Sequence, residues 1–235
     1  MKTLSLHAAF LLSVTLSLAL TAFADIKVTA AKGGVYVRHN VQEDWTPVAV
    51  GDVLKPEDSM KLDKKASATI LIDGKDKLVV PEFVIVDLSD FRALSQEDLL
   101  LRLAMERVRS LPAEPSKDEL QIPRTTTVHG ENKGQVSAPP VSTTETGTLQ
   151  LNGTKVLFDK GFFGTCALKT KEVFRLHPEL LSNVDARIMV AGALEHMKLN
   201  GEALGEYLNI PTSGLSSQQA SLLKEKVAQL RKSKR

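Results

Sequence analysis

Cysteine is almost missing from these 235 residues: Cys166 stands alone. One thiol excludes an internal disulfide and a cysteine-based zinc site. Cys166 is therefore read as a small apolar packing residue. Aromatics are scarce, 5% of the chain, and Trp45 is the sole tryptophan. It is read as a core or turn-packing aromatic, with ligand stacking as the alternative. Charge of either sign is not in excess: 30 basic and 28 acidic residues leave a net charge of +2. No basic patch interleaves with aromatics, so nucleic acid is not an expected partner. Beyond the N-terminal region the histidines are His39, His129, His177 and His196, and no two have metal-ligand spacing. A Gly-x-Ser-x-Gly elbow and a Gly-rich phosphate loop are also missing. Glu195 and Glu202 can share a helix face, but they read as solvated carboxylates. No catalytic, cofactor-binding or metal-binding residue is assigned, and the chain is expected to be no enzyme.

Apolar residues make up 43% and charged residues 25% of the chain, ordinary values for globular protein. The length allows one or two domains. Residues 1–24 have the pattern of a secretory signal peptide. Lys2 supplies the positive start, Ala8 to Leu20 the apolar core, and Ala22-Phe23-Ala24 the small-x-small cleavage site. That run is short for a membrane span of about 20 residues. The mature chain is expected in the periplasm or outside the cell, beginning at Asp25.

Residues 33–88 read as short strands and turns. Val35, Tyr36 and Val37 follow Gly33-Gly34, and apolar alternation returns at Met60 and Leu62. From Ala66 to Ile72 the period is two, which predicts a strand with one buried face. Asp73-Gly74 lies between that run and Leu78-Val79-Val80, a hairpin signal. Pro81 interrupts, and Phe83 to Leu88 forms the last strand. Gly51-Asp52 reads as turn chemistry. Ile26 to Ala31 is either a first strand or a tether. So short a module predicts a small antiparallel sandwich or barrel.

Gly34-Val35-Tyr36-Val37-Arg38, Trp45-Thr46-Pro47-Val48 and Val50-Gly51-Asp52-Val53-Leu54 resemble the opening of a FecR-type domain. Ser67 to Gly74 and the strands from Leu78 to Leu88 are similar to its second half. The resemblance covers about a quarter of the chain. It implies an all-β extracytoplasmic module of the kind that relays a signal in iron-citrate regulators. The sigma-factor segment and membrane span of those regulators are not recognised here, so only the architecture is carried over.

Ser95 to Leu111 reads as a helix. Ser95 and Asp98 resemble a capping box, Glu97 and Asp98 put acid in the first turn, and Arg107 and Arg109 sit near the end. Leu99, Leu100, Leu103, Val108 and Leu111 give it an apolar face, expected to dock on the β module and, failing that, to self-associate. Residues 112–146 contain five prolines, many Thr and Ser, and no aromatic residue. Such a composition buries too little to offset chain entropy, which predicts a flexible linker.

From Gly147 the pattern turns helical. Asn152-Gly153 allows a hairpin, but helical spacing fits more positions. Leu157, Gly161, Phe163, Cys166, Val173 and Pro178 resemble a tetratricopeptide repeat, with Gly161 closing one helix and Pro178 ending the next. Asn183 or Ser182 caps a helix over 184–199 whose apolar side is Val184, Ile188, Ala191, Met197 and Leu199. Asn200-Gly201 stops it, and a short helix runs from Glu202 to Asn209. Ser216 and Gln219 form a capping box opening a terminal helix through Leu222, Leu223, Val227 and Leu230. The tail Arg231-Lys232-Ser233-Lys234-Arg235 is basic and reads as a solvated helix end.

The fold class expected is α+β: a FecR-like β module with one docked helix (25–111), a flexible linker (112–146), and a helical tetratricopeptide-like unit (147–235). The two compact pieces are expected to grip other molecules. Stacked helix pairs offer a concave surface to envelope proteins or peptides. The alternative is a cell-wall or glycan-binding protein acting through the β module.

Overall fold

The computed structural model describes residues 26–40, 44–111 and 144–233. The leader expected over 1–24 and most of the expected linker lie outside them. The fold is α+β.

Among the described residues eight strands form two open antiparallel sheets. The first contains β1 (Ile26–Lys32), β4 (Val53–Leu54), β6 (Ser67–Ile72) and β7 (Asp76–Val80), in the order β4-β1-β6-β7. The second contains β2 (Val35–Arg38), β3 (Thr46–Pro47), β5 (Ser59–Leu62) and β8 (Val84–Asp87), in the order β3-β2-β5-β8. The period-two reading of Ala66 to Ile72 holds: Ala66, Ala68 and Ile70 are buried. The Asp73-Gly74 hairpin is present, with both residues at positive φ (51° and 67°) and Lys75 N–H donating to the Ile72 carbonyl. The residues after Asp25 are a strand, not a tether. Gly33, at φ 75°, lets the chain leave the first sheet and enter the second.

Register sorts the second sheet into rows. Val35, Leu62 and Val84 pair across three strands, as do Val37, Met60 and Val86, and all six are buried between the sheets. The opposite face carries two other rows, Tyr36–Lys61–Ile85 and Arg38–Ser59–Asp87. Side chains in a row lie close enough to interact. That outward face is where the helices meet the β module.

The helices are α1 (Gln96–Arg109), α2 (Thr144–Asp159), α3 (Phe163–Leu176), α4 (Val184–His196), α5 (Asn200–Leu208) and α6 (Ser217–Ser233). Both capping serines perform as the sequence predicts. Asp98 N–H donates to Ser95 Oγ at 3.1 Å, and Gln219 N–H to Ser216 Oγ at 3.2 Å, with Gln219 Oε1 accepting from Ser216 N–H at 2.9 Å. Asn183, not Ser182, caps α4, its Oδ1 accepting from Ala186 N–H at 3.0 Å. Asn152-Gly153 lies inside α2 rather than in a hairpin. Gly161, at φ 85°, closes α2: its N–H reaches the Phe158 carbonyl and Phe162 N–H reaches that of Leu157. This is the paired closure of a Schellman motif. The same pair of bonds recurs after α4, where Lys198 takes the left-handed position at φ 58°. The stop expected at Asn200-Gly201 therefore falls earlier, because a Lys accepts the conformation usually left to Gly, and Asn200 opens α5 instead.

Further placements differ from the sequence reading. The linker expected to end at Thr146 gives up residues 144–146 to the first turn of α2. The α1 helix packs mainly on α3, not on the β module, and of its expected apolar face only Leu99 and Leu103 are buried. Val108 and Leu111 remain 68% and 65% exposed. The third buried residue of α1 is Glu106, turned inward because Arg175 on α3 pairs with it. In α4 the buried set is Ala186, Val190, Ala191, Ala193 and Leu194, since α3 and α5 cover the helix from two sides.

The two compact pieces expected from sequence are in fact seated on one another. One cluster of buried apolar side chains runs from Ile26 in β1 to Leu230 in α6. The contact is closest where α2 crosses β8. A Cβ on Gly153 would fall inside the van der Waals shell of the Ile85 carbonyl oxygen. Asn152 Nδ2 beside it donates to the Phe83 carbonyl at 2.9 Å. Thr165 Oγ1 donates to the Arg92 carbonyl at 2.8 Å, and Phe91 meets Phe162 edge to face.

Candidate functional site

From α2 to α6 the helices stack in chain order, and α2 also reaches α4. This leaves a groove of about 790 Å³ lined by α2, α4, Tyr207 of α5 and α6. Phe158, Ala186, Ile188, Met189, Gly192 and Leu222 supply its apolar surface. At Gly192 a Cβ would meet the Phe158 ring at 3.7 Å, an ordinary contact, so a larger side chain there would extend into the groove. His196 is fixed by a parallel stack on Phe163, centroids 4.0 Å apart.

The polar groups of the groove are held by one another. Tyr207 Oη donates to Glu195 Oε1 at 2.6 Å, and Lys226 Nζ pairs with Glu195 Oε2 at 3.0 Å. Burial and the Glu195 carboxylate both push the Tyr207 phenol up, so it stays protonated. Lys155 pairs with Asp159 at 2.8 Å, and Gln219 donates to Asp185 at 2.7 Å. This surface is shaped for contact: an apolar trough flanked by two ion pairs, Lys155–Asp159 and Lys226–Glu195, and by Asp185, whose carboxylate is held by Gln219 and keeps its negative charge. Its volume is within the range of about 300–1,000 Å³ typical of ligand pockets.

A second, smaller cleft lies at the seam between the β module and the helices. It is partly enclosed, about 220 Å³, and lined by Arg38, Asp87 and Asp90 on one side and Gln150, Thr154, Lys169 and Glu172 on the other, among others. The outward row of the second sheet leads into it. Arg38 Nη2 lies 3.4 Å from Ser59 Oγ, which donates to Asp87 Oδ1 at 2.6 Å. Lys169 of α3 closes the cluster, 2.9 Å from Asp87, 3.7 Å from Asp90 and 2.8 Å from Glu172. Burial raises the Asp87 carboxyl, but Lys169 and the Ser59 hydroxyl outweigh it and hold the group below its usual value. Asp90 goes the other way. Burial pushes its carboxyl up to about 7; Asp87 and Glu172 add to the rise, and Lys169 opposes it.

The histidines, set aside as ligands, occupy unrelated places. His39 Nδ1 is 3.1 Å from Asp58, His177 is buried at the end of α3, His196 is stacked in the groove, and His129 lies outside the described residues. Glu195 and Glu202 do not share a helix: one lies in α4, and the other, in α5, pairs with Arg107 at 3.5 Å. Cys166 is buried, its thiol pushed up to about 12 by burial, in keeping with a packing role. Trp45 is not part of the buried core. It lies half-buried with Arg38 at 4.9 Å and Lys61 at 5.3 Å from its ring centroid, and Lys61 also lies 4.9 Å from the Tyr36 ring.

Sequence reasoning missed the seam entirely. Asp87 and Lys169 are 82 residues apart, and no local pattern marks either. The one signal available was Gly153, a glycine inside a helical pattern, which often marks close approach of another backbone. The fold and the two cavities define an α+β chain with a helical groove on a β-sandwich base. No family model, curated protein or solved structure matches it.

Proposed function

We propose that this chain is an exported interaction protein of the cell envelope, without catalytic activity, that holds peptide segments of partner proteins in the groove between α2, α4 and α6. The observation supporting this is the pairing of an apolar trough with charges already held by one another. Such a surface buries apolar side chains of a peptide without stranding a charge. The FecR-like architecture and the leader-like residues 1–24 support placement in the periplasm, and the stacked helices suit a tetratricopeptide-like role.

The test is panning of a random peptide display library against the purified chain, with Gly192→Trp as the counter-screen. The indole would fill the trough from α4 without touching the sheets. Enriched peptides should bind the native chain and lose at least tenfold in affinity on the variant. Binding unchanged by Gly192→Trp would overturn the groove as the binding surface.

A second reading has an observation of its own. Trp45, Tyr36, Arg38 and Lys61 form an aromatic and cationic patch on the outward face of the second sheet, suited to a glycan. Retention of the pure protein by isolated sacculi, lost in Trp45→Ala, would favour cell-wall binding over peptide binding.

A further inference from the structure

The α1 helix carries apolar residues on two opposite sides. One side, Leu99 and Leu103, is buried, and the helix packs mainly on α3. The other points away from the body of the molecule. Leu101, Ala104, Met105 and Val108 follow the spacing i, i+3, i+4, i+7 of a helix face that covers a core. All four are exposed, Leu101 by 63% and Met105 by 48%, and Leu111 continues the stripe one turn further. Single exposed apolar residues are ordinary on a protein surface, but a contiguous stripe marks an interaction site. The charge of the helix is divided along its length. Glu97 and Asp98 stand in the first turn, and Arg107 and Arg109 in the last. A parallel copy of the helix would set like charge on like, and an antiparallel copy sets acid against base. An anionic membrane would repel the acidic end.

We propose that the outward stripe of α1 is a homodimer interface, in which α1 of a second copy packs antiparallel across a two-fold axis between Ala104 and Met105. In that register Leu101 meets Val108 of the second copy, and the small Ala104 faces the long Met105. Asp98 and Arg109 are about three turns apart and so lie on the same flank of the stripe. Across the axis, Asp98 of one copy comes level with Arg109 of the other to within about 3 Å along the helix. The pair forms twice, once at each end. A helix of 14 residues is ~21 Å long, so the contact falls at the small end of specific interfaces, below about 1,200 Å² in total. The dimer is therefore weak and depends on concentration. The proposal rests on neither the helical groove nor the aromatic patch.

The experiment is sedimentation equilibrium of the purified chain from about 1 to 200 μM. The data should fit monomer and dimer without larger species, because a two-fold contact closes on itself. Val108→Glu should weaken the dimer at least tenfold, with circular dichroism unchanged because the side chain is exposed. Orientation is read by mild oxidation of Leu101→Cys and Val108→Cys chains, one of them size-tagged. Cys166 is buried and does not compete. A mixture should give the mixed disulfide. Leu101→Cys alone should give none, since its two copies would stand about 10 Å apart along the axis. A monomer at every concentration overturns the proposal, as does a dimer indifferent to Val108→Glu. A disulfide between two Leu101→Cys chains without the mixed product overturns the antiparallel arrangement. A chain that stays monomeric yet binds phosphatidylglycerol vesicles through Val108 would assign the stripe to a membrane surface instead.

Discussion

Asp90 is the residue at which burial and charge conflict most openly. It sits 8% exposed among two other carboxylates and one lysine. Its carboxyl is pushed up to about 7, against an unfolded value near 3.8. The sign follows from which state binds the proton. Between pH 4 and 7 the folded chain holds a proton on Asp90 that the unfolded chain does not, so stability rises as pH falls through that window. Above about 8 both states are ionised and the folded state carries the full cost of the buried charge. The span is about three pH units at roughly 1.4 kcal/mol each, an upper bound of ~4 kcal/mol. Asp87 has the opposite linkage, with its contribution present above pH 4 and lost below it. Chemical denaturation at pH 8 and pH 5 should show the native chain more stable at pH 5. Asp90→Asn should flatten the difference and raise stability at pH 8. A native profile that falls from pH 8 to pH 5 would contradict the placement of Asp90.

At the scale of elements, α2 against β8 decides how the molecule is joined, and one glycine reports on it. Gly153 lies in the interior of α2, where alanine would ordinarily stabilise a helix by about 1 kcal/mol. In the fold it lies against the Ile85 carbonyl, a backbone atom that cannot rotate away. Gly153→Ala should therefore destabilise, by about 3 kcal/mol, as overpacking against a rigid neighbour does. The sign is the test: a helical unit merely tethered to the β module would gain stability from the same change. Denaturant midpoints at constant m-value read it directly. This contact also shows what the chain reveals locally and what it does not. Alternation at Ala66 to Ile72, the Asp73-Gly74 turn and the caps at Ser95, Asn183 and Ser216 are short-range chemistry, and they were readable. Lys198 in a left-handed cap was not, because its type gives no sign of it. Glu106 turned inward for the same kind of reason, since its partner Arg175 is 69 residues away. The Arg38–Ser59–Asp87 row needs three strand registers at once, so the cleft it leads to has no linear signature. The groove was readable only as a consequence of stacking, not from its lining.

Across the whole molecule, the sandwich and the helices share a core, and α1 extends that union although it follows the sheets in sequence. It reaches the helical side through Leu99 and Leu103, through Gln96 Nε2 donating to the Met197 carbonyl at 2.7 Å, and through the pairs Glu106–Arg175 and Arg107–Glu202. Residues 112–143 connect α1 to α2 covalently, but the attachments just named do not run through them. Covalent continuity should therefore be dispensable for assembly. Two chains, 26–111 and 144–235, expressed together with an affinity tag on the first alone, should copurify at one-to-one stoichiometry. The pair should unfold in a single transition whose midpoint rises with protein concentration, as expected when folding and association are coupled. Separation of the two chains in native buffer, or two independent transitions, would show that the seam is too weak to unite them. Gly153→Ala in the second chain provides the control, because crowding at Ile85 should weaken the pairing of the fragments while leaving the helical groove intact.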